Sequence, residues 1–119
     1  MDGFLSGPPE LIVEVAFHEA SIELHAKKQV YRRAQVQEYI VWRTRDQAVD
    51  WWIMEDDEYI RLEPNAQGVL RSRAFPGLWL GVNGLIAQDA GEVLAVLHQG
   101  LASAEHEAFV AEQARRLEA

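Results

Sequence analysis

Glu14 stands in the middle of an almost wholly apolar run, Glu10 to Phe17 (ELIVEVAF). A carboxylate inside a hydrophobic strand is expensive unless something compensates it. Either a metal ion or an ammonium group would serve. Lys27 is the matching oddity. On the helix that follows, it falls inside the apolar arc traced by Ile22, Leu24, Ala26, Val30, Tyr31 and Ala34, whereas His25, Lys28 and Arg32 fall outside it. A strand-to-helix connection of this length can fold Lys27 back over Glu14. The residues alone leave a second arrangement open: Glu23 and Lys27 pair at i,i+4 on the helix, and Glu14 lies near an exposed strand end. Glu10 is a poor partner for Glu14. Residues four apart on a strand are separated by about 13 Å, whereas magnesium–oxygen bonds are about 2 Å.

The elements that must position these residues follow from pattern. Gly7-Pro8-Pro9 is a loop, because proline fixes φ and pushes its predecessor toward extended geometry. Glu10–Phe17 is a strand apolar on both faces, which predicts a central place in its sheet. Ser21 can cap a helix over about 22–35. Glu38–Thr44 and Ala48–Met54 are further strands, joined by the Arg45-Asp46-Gln47 turn. Tyr59–Leu62 and Val69–Phe75 continue the meander across the Asn65-Ala66-Gln67-Gly68 turn. Pro76-Gly77 interrupts the chain, and from about Gly84 the periodicity is helical, with Gly100 as a stop signal. Ser103 can cap a last helix through Arg116, whose large apolar contacts are Phe109, Val110 and Leu117. The order β-α-β-β-β-β-α-α indicates a mixed α+β domain, with a core over residues 1–103 and a helical tail, loosely held, over 104–119.

Composition narrows the function. At 119 residues and 49% hydrophobic, the chain can build a real core. It has no cysteine, which removes disulfides, thiolate metal sites and cysteine nucleophiles. The N-terminus has neither a positive n-region nor an apolar h-region, and no apolar run approaches the roughly 20 residues of a membrane span. A cytoplasmic protein without a membrane partner is the expectation. The net charge of −8 argues against a general nucleic-acid binder. The charge is uneven, however. Ala26 to Arg45 carries six basic side chains against Glu38 alone, and Asp46 to Glu63 is acidic except for Arg61. Such runs are either solvated faces or a local basic surface on an acidic body.

Other chemistry-bearing residues form no motif. His18, His25, His98 and His106 lack metal-ligand spacing, and no serine sits in G-x-S-x-G context. The glycines form no phosphate-binding loop. Trp51 and Trp52, adjacent on a strand, point to opposite faces, so at least one belongs to the core.

Longer stretches carry a resemblance. Gly7-Pro8-Pro9-Glu10-Leu11-Ile12-Val13-Glu14-Val15 resembles the G-x-P-D-L-V-V-E-V segment of the Uma-type restriction endonuclease family, within the PD-(D/E)XK nuclease superfamily. Leu24-His25-Ala26-Lys27 and the stretch from Tyr31 to Val41 look like its D-L-x-x-K and Y-x-R-A-G-V-x-E-Y-W-V segments. Phe75-Pro76-Gly77-Leu78-Trp79-Leu80 resembles its closing F-P-G-L-x-L. The similarity implies a restriction-endonuclease-like core: a central mixed sheet, one long crossover helix and C-terminal helices. It also implies a magnesium or manganese ion, with Glu14 as acidic metal ligand and the Val15 carbonyl as a further one. Ala16 stands where many nucleases of the superfamily have lysine, and Lys27 supplies that charge from the helix. DNA is the implied partner, its phosphodiester attacked by an activated water.

Departures from the pattern matter too. Family members are considerably longer, and their metal-binding aspartate lies upstream of the segment where this chain starts, so the expectation is an N-terminally truncated member holding half a site. Glu10, Glu23 and Gln35 replace two aspartates and a glycine of the pattern. One carboxylate predicts weak metal affinity. The rival expectation is a non-catalytic binding or assembly module of the same fold, with a homodimer covering an exposed edge or apolar face.

Overall fold

The computed structural model describes residues 10–17 and 21–118. The Gly7-Pro8-Pro9 loop and the cap assigned to the Ser21 side chain lie outside what is described. Two compact units divide between Leu62 and Glu63.

The first unit is a mixed four-stranded sheet with one helix. Strand β1 (Leu11–Ala16) leads through helix α1 (Ser21–Arg33) into β2 (Glu38–Arg43), β3 (Ala48–Glu55) and β4 (Glu58–Arg61). The order is β1-β2-β3-β4, with β1 parallel to β2 and the other pairs antiparallel. A parallel pair needs a long crossover, which α1 supplies, whereas β3 and β4 need only a tight hairpin. That hairpin turns at Asp56 and Asp57, with φ of 51° and 68°, the left-handed pair that matches strand twist.

The double-sided apolarity of β1 suggested a central strand. Among the described residues β1 instead ends the sheet, and one of its faces is open: Val13, Val15 and Phe17 are 57%, 43% and 62% exposed. Its other face, carrying Ile12, Glu14 and Ala16, belongs to a core cluster with Tyr39, Val41, Leu24, Tyr31, Trp52 and Tyr59. Register explains the grouping. Ile12, Glu14 and Ala16 lie beside Tyr39, Val41 and Arg43, which lie beside Trp52, Asp50 and Ala48. Trp51 and Trp52 divide as strand alternation requires: Trp51 is 1% exposed with its indole donating to Glu38, while Trp52 is half-buried on the α1 face.

The second unit pairs β5 (Val69–Arg71) with β6 (Trp79–Gly81), followed by helices α2 (Val82–Ile86), α3 (Ala90–Leu101) and α4 (Ala104–Glu118). The sheet does not run on from β4 as a meander. β5 stops at Arg71 because Ser72 turns the chain: its hydroxyl accepts from the Phe75 amide and its amide donates to Leu78. The helical stretch is broken at Asp89, which caps α3 by accepting from the Glu92 amide at 3.2 Å. Gly100 is no terminator. It lies inside α3, where a Cβ would collide with the Gly77 carbonyl and approach Trp79 Cγ to 2.6 Å. In α4 no residue is buried, and its contacts include Phe109 edge-on to Phe75 and His106 Nδ1 at 3.0 Å from the Pro76 carbonyl. No helix among the described residues is long and apolar enough to cross a membrane.

Candidate active site

Helix α1 lays Leu24, Lys27 and Tyr31 over β1 and β2, at the three- and four-residue spacing that stacks side chains on one face. Leu24 packs on the core cluster, and the next two reach Glu14. Lys27 Nζ lies 3.3 Å from Glu14 Oε2, and the Tyr31 hydroxyl donates to Oε1 at 2.9 Å. From β2, the Tyr39 hydroxyl approaches Oε2 at 3.5 Å, the limit of a useful hydrogen bond. The Glu14 side chain is 18% exposed and that of Lys27 40%, so the pair is shielded on the carboxylate side and open on the ammonium side. Glu14 and Lys27 are therefore brought together. Glu10 is held apart from that carboxylate, with its carbonyl accepting from the Glu38 amide.

Tyr31 stood out in the sequence as part of an apolar arc and of the family-like stretch, not as a partner of Glu14. The signal for its contact is its spacing: it stands one turn beyond Lys27, so a helix that delivers one to Glu14 delivers both. The phenols form a packed group, with the Tyr31 and Tyr39 rings edge-to-face at 4.9 Å and Tyr39 and Tyr59 at 6.4 Å. Tyr59 donates to the Val36 carbonyl at 2.7 Å, and burial, with Tyr31 adding to it, pushes its phenol up to about 12.

The Val15 carbonyl can be placed by alternation. The carbonyls of Glu10 and Ala16 accept from Glu38 and Thr44 amides on the β2 side. Carbonyls alternate along an extended strand, so that of Val15 faces the opposite side, at the edge where the described sheet ends. A carboxylate and a main-chain carbonyl are the hard oxygens that magnesium takes, with its remaining positions filled by water and phosphate. Among the described residues no three His, Cys, Asp or Glu side chains gather round one point. The oxygens that could serve such an ion are therefore the Val15 carbonyl and the Glu14 carboxylate, the latter already engaged by phenol and ammonium donors.

Beyond Ala16 the same face opens into a cleft of about 730 Å³. Its charges are ordered by Asp50. Arg43 grips that carboxylate through Nε at 2.7 Å and Nη2 at 3.3 Å, and Arg61 Nη1 adds a contact of 2.5 Å. Arg43 also reaches Asp46 at 2.6 Å. Burial alone would raise the Asp50 carboxyl, but the hydrogen bonds from Arg43 and Arg61 outweigh it and hold it below the usual value. The hydrogen bond to Asp50 likewise raises Arg43. Lys28 Nζ sits 3.3 Å above the Trp52 ring centroid, where burial lowers its pKa, Asp50 opposes that and Arg61 adds to it. Half of the basic run from Ala26 to Arg45 faces this cleft rather than forming a uniform surface: Lys28, Arg43 and Arg45 line it with His25.

No curated protein matches the chain. The model of one protein family, described as a putative restriction endonuclease, matches residues 1–83, which contain Glu14, Val15, Lys27 and both tyrosines of the site. The match covers more than half of the chain, and the chain belongs to this family, Uma2.

Proposed function

We propose that the chain acts as a divalent-cation-dependent endonuclease that hydrolyses DNA phosphodiester bonds, with Glu14 and Lys27 as its catalytic residues. The observation that carries this reading is the Lys27 ammonium 3.3 Å from the Glu14 carboxylate inside the family-matched segment. The Glu14 carboxylate and the Val15 carbonyl would hold magnesium or manganese. Such an ion supplies an acidified water and polarises the phosphoryl oxygens. Lys27, half exposed at its outer end, presents protons toward a phosphate oxygen and offsets the charge that grows there. Tyr31 and Tyr39 donate their hydroxyls to the same carboxylate, where they compete with the ion for its oxygens.

DNA cleavage by purified protein in magnesium or manganese tests the reading against Glu14→Gln and Lys27→Ala. Each variant is expected to lose roughly 10²-fold or more in rate, as expected for removal of a group that stabilises developing charge. Equal activity in all three proteins, or none in any, overturns it.

One observation favours a second reading, a non-catalytic binding or dimerisation module. Phenol and ammonium donors already engage both Glu14 oxygens. Divalent-ion-independent DNA binding without cleavage would support that alternative.

A further inference from the structure

Lys27 and Lys28 are consecutive on α1, so their side chains leave the helix about 100° apart. Lys27 turns to Glu14, and Lys28 turns to the cleft beyond Ala16. The two lysines thereby serve neighbouring places on one face of the sheet.

The charge arrangement inside the cleft is specific. The carboxylates that line it are both engaged by arginine: Asp50 on both oxygens by Arg43 and Arg61, and Asp46 by Arg43. Among the described residues, Lys28 rests on the Trp52 ring and forms no ion pair. A cation over an indole face is held in place by the ring quadrupole while its outward N–H groups remain available. The same contact covers that face of Trp52, so the indole cannot also stack a base there. Its consequence is to aim Lys28. His25, one turn earlier on α1, lies on the same wall of the cleft.

We propose that this cleft receives a backbone phosphate of the DNA strand next to the one at Glu14. Lys28 is the group that contacts it, and Trp52 is a positioning residue that holds Lys28. The inference rests on the nuclease reading of Glu14 and Lys27 and extends it by a second phosphate subsite. An ammonium suits a phosphodiester as a point charge without requiring a fixed fork. A contact of this kind carries no sequence information, so the cleft positions the strand without reading bases.

The test is fluorescence anisotropy of a fluorescein-labelled DNA duplex with the full chain in EDTA, repeated over a salt series. Lys28→Gln is expected to weaken binding about 3- to 10-fold and to lower the slope of log affinity against log salt by about one. Trp52→Leu is expected to do the same, and Trp52→Phe, which keeps an aromatic face, to restore most of the affinity. A wild-type salt slope in Lys28→Gln, wild-type affinity in Trp52→Leu, or no DNA binding by the wild-type chain overturns the proposal. Glu14→Gln separates the two readings. Undiminished cleavage by Glu14→Gln, with the Lys28 effect intact, removes the catalytic role of Glu14 and leaves the cleft. Glu14-dependent cleavage with no Lys28 effect does the reverse.

Discussion

Tyr31 donates its hydroxyl to Glu14 Oε1 across 2.9 Å, from a helix position one turn beyond the lysine that reaches the other carboxylate oxygen. The carboxylate is thus gripped from both sides by one helix face. Removing the hydroxyl should have two separable effects. Tyr31→Phe is expected to lower stability by about 1 kcal/mol, the net value of a hydrogen bond to a partly screened charge. It should also tighten magnesium or manganese binding, because Oε1 loses a competing donor. Thermal denaturation and calorimetric titration with the chloride salts measure both. Weaker metal binding in the variant would mean that Tyr31 organises the site for the ion and does not compete with it.

Asp50 ties Arg43 and Arg61 together on the same face of the sheet. Its folded-state carboxyl lies below the ordinary 3.8 because hydrogen bonds from the two arginines outweigh burial. A depressed carboxyl contributes stability that is fully present above pH 3.8 and is lost as pH falls through the lower folded-state value. Asp50→Asn is expected to cost about 2 kcal/mol near neutrality, discounted for the partial exposure of both arginines. Its loss of stability on acidification below pH 3.8 should be shallower than that of the wild type. Urea unfolding over a pH series checks this, and parallel curves for the two proteins would contradict it.

Gln35 follows α1 with φ of 63°, a left-handed conformation that a side chain opposes by about 1–2 kcal/mol. The family pattern has glycine at this position, and the backbone explains why. Gln35→Gly should raise stability by about 0.5–1 kcal/mol after the larger entropy loss of glycine is subtracted. The hydrogen bond from Gln35 to exposed Asp57 is a small loss beside that. Gln35→Ala retains the Cβ and should bring no gain. A stabilised alanine variant would assign the effect to the lost side chain.

Gly100 packs against Gly77 and Trp79 where a methyl group has no room. Alanine is the better helix former by about 1 kcal/mol, but here it must displace backbone. Gly100→Ala is expected to destabilise the chain by about 2–3 kcal/mol, a typical overpacking cost. Circular dichroism melts measure it, and an unchanged midpoint would show that α3 can shift outward freely.

Much of the first unit was legible locally. The β1–α1–β2 succession and the β2–β3 hairpin follow from apolar period and turn residues, and each boundary moved by only a residue or two. Gly100 and β5 were misread because their reasons are contacts rather than propensities. Nothing in the residues around Gly100 announces that the Gly77 carbonyl will lie beside it, and Val69–Phe75 looks extended until Ser72 folds back. The place of β1 in the sheet was misread because two apolar faces fit a buried strand and an edge strand equally well.

The sequence by itself determined which residues stood out: a carboxylate in an apolar strand, a lysine on an apolar helix face, and the family pattern around them. Periodicity is local, so it assigns faces without coordinates. Only the tertiary structure decided what those faces meet. It brought Lys27 and Tyr31 to opposite oxygens of Glu14, placed the Val15 carbonyl at the edge of the sheet among the described residues, and turned Lys28 onto Trp52 from the next strand but one. Those pairings depend on strand register and helix docking, which join residues 13 to 24 positions apart in the chain and are set by packing of the whole unit.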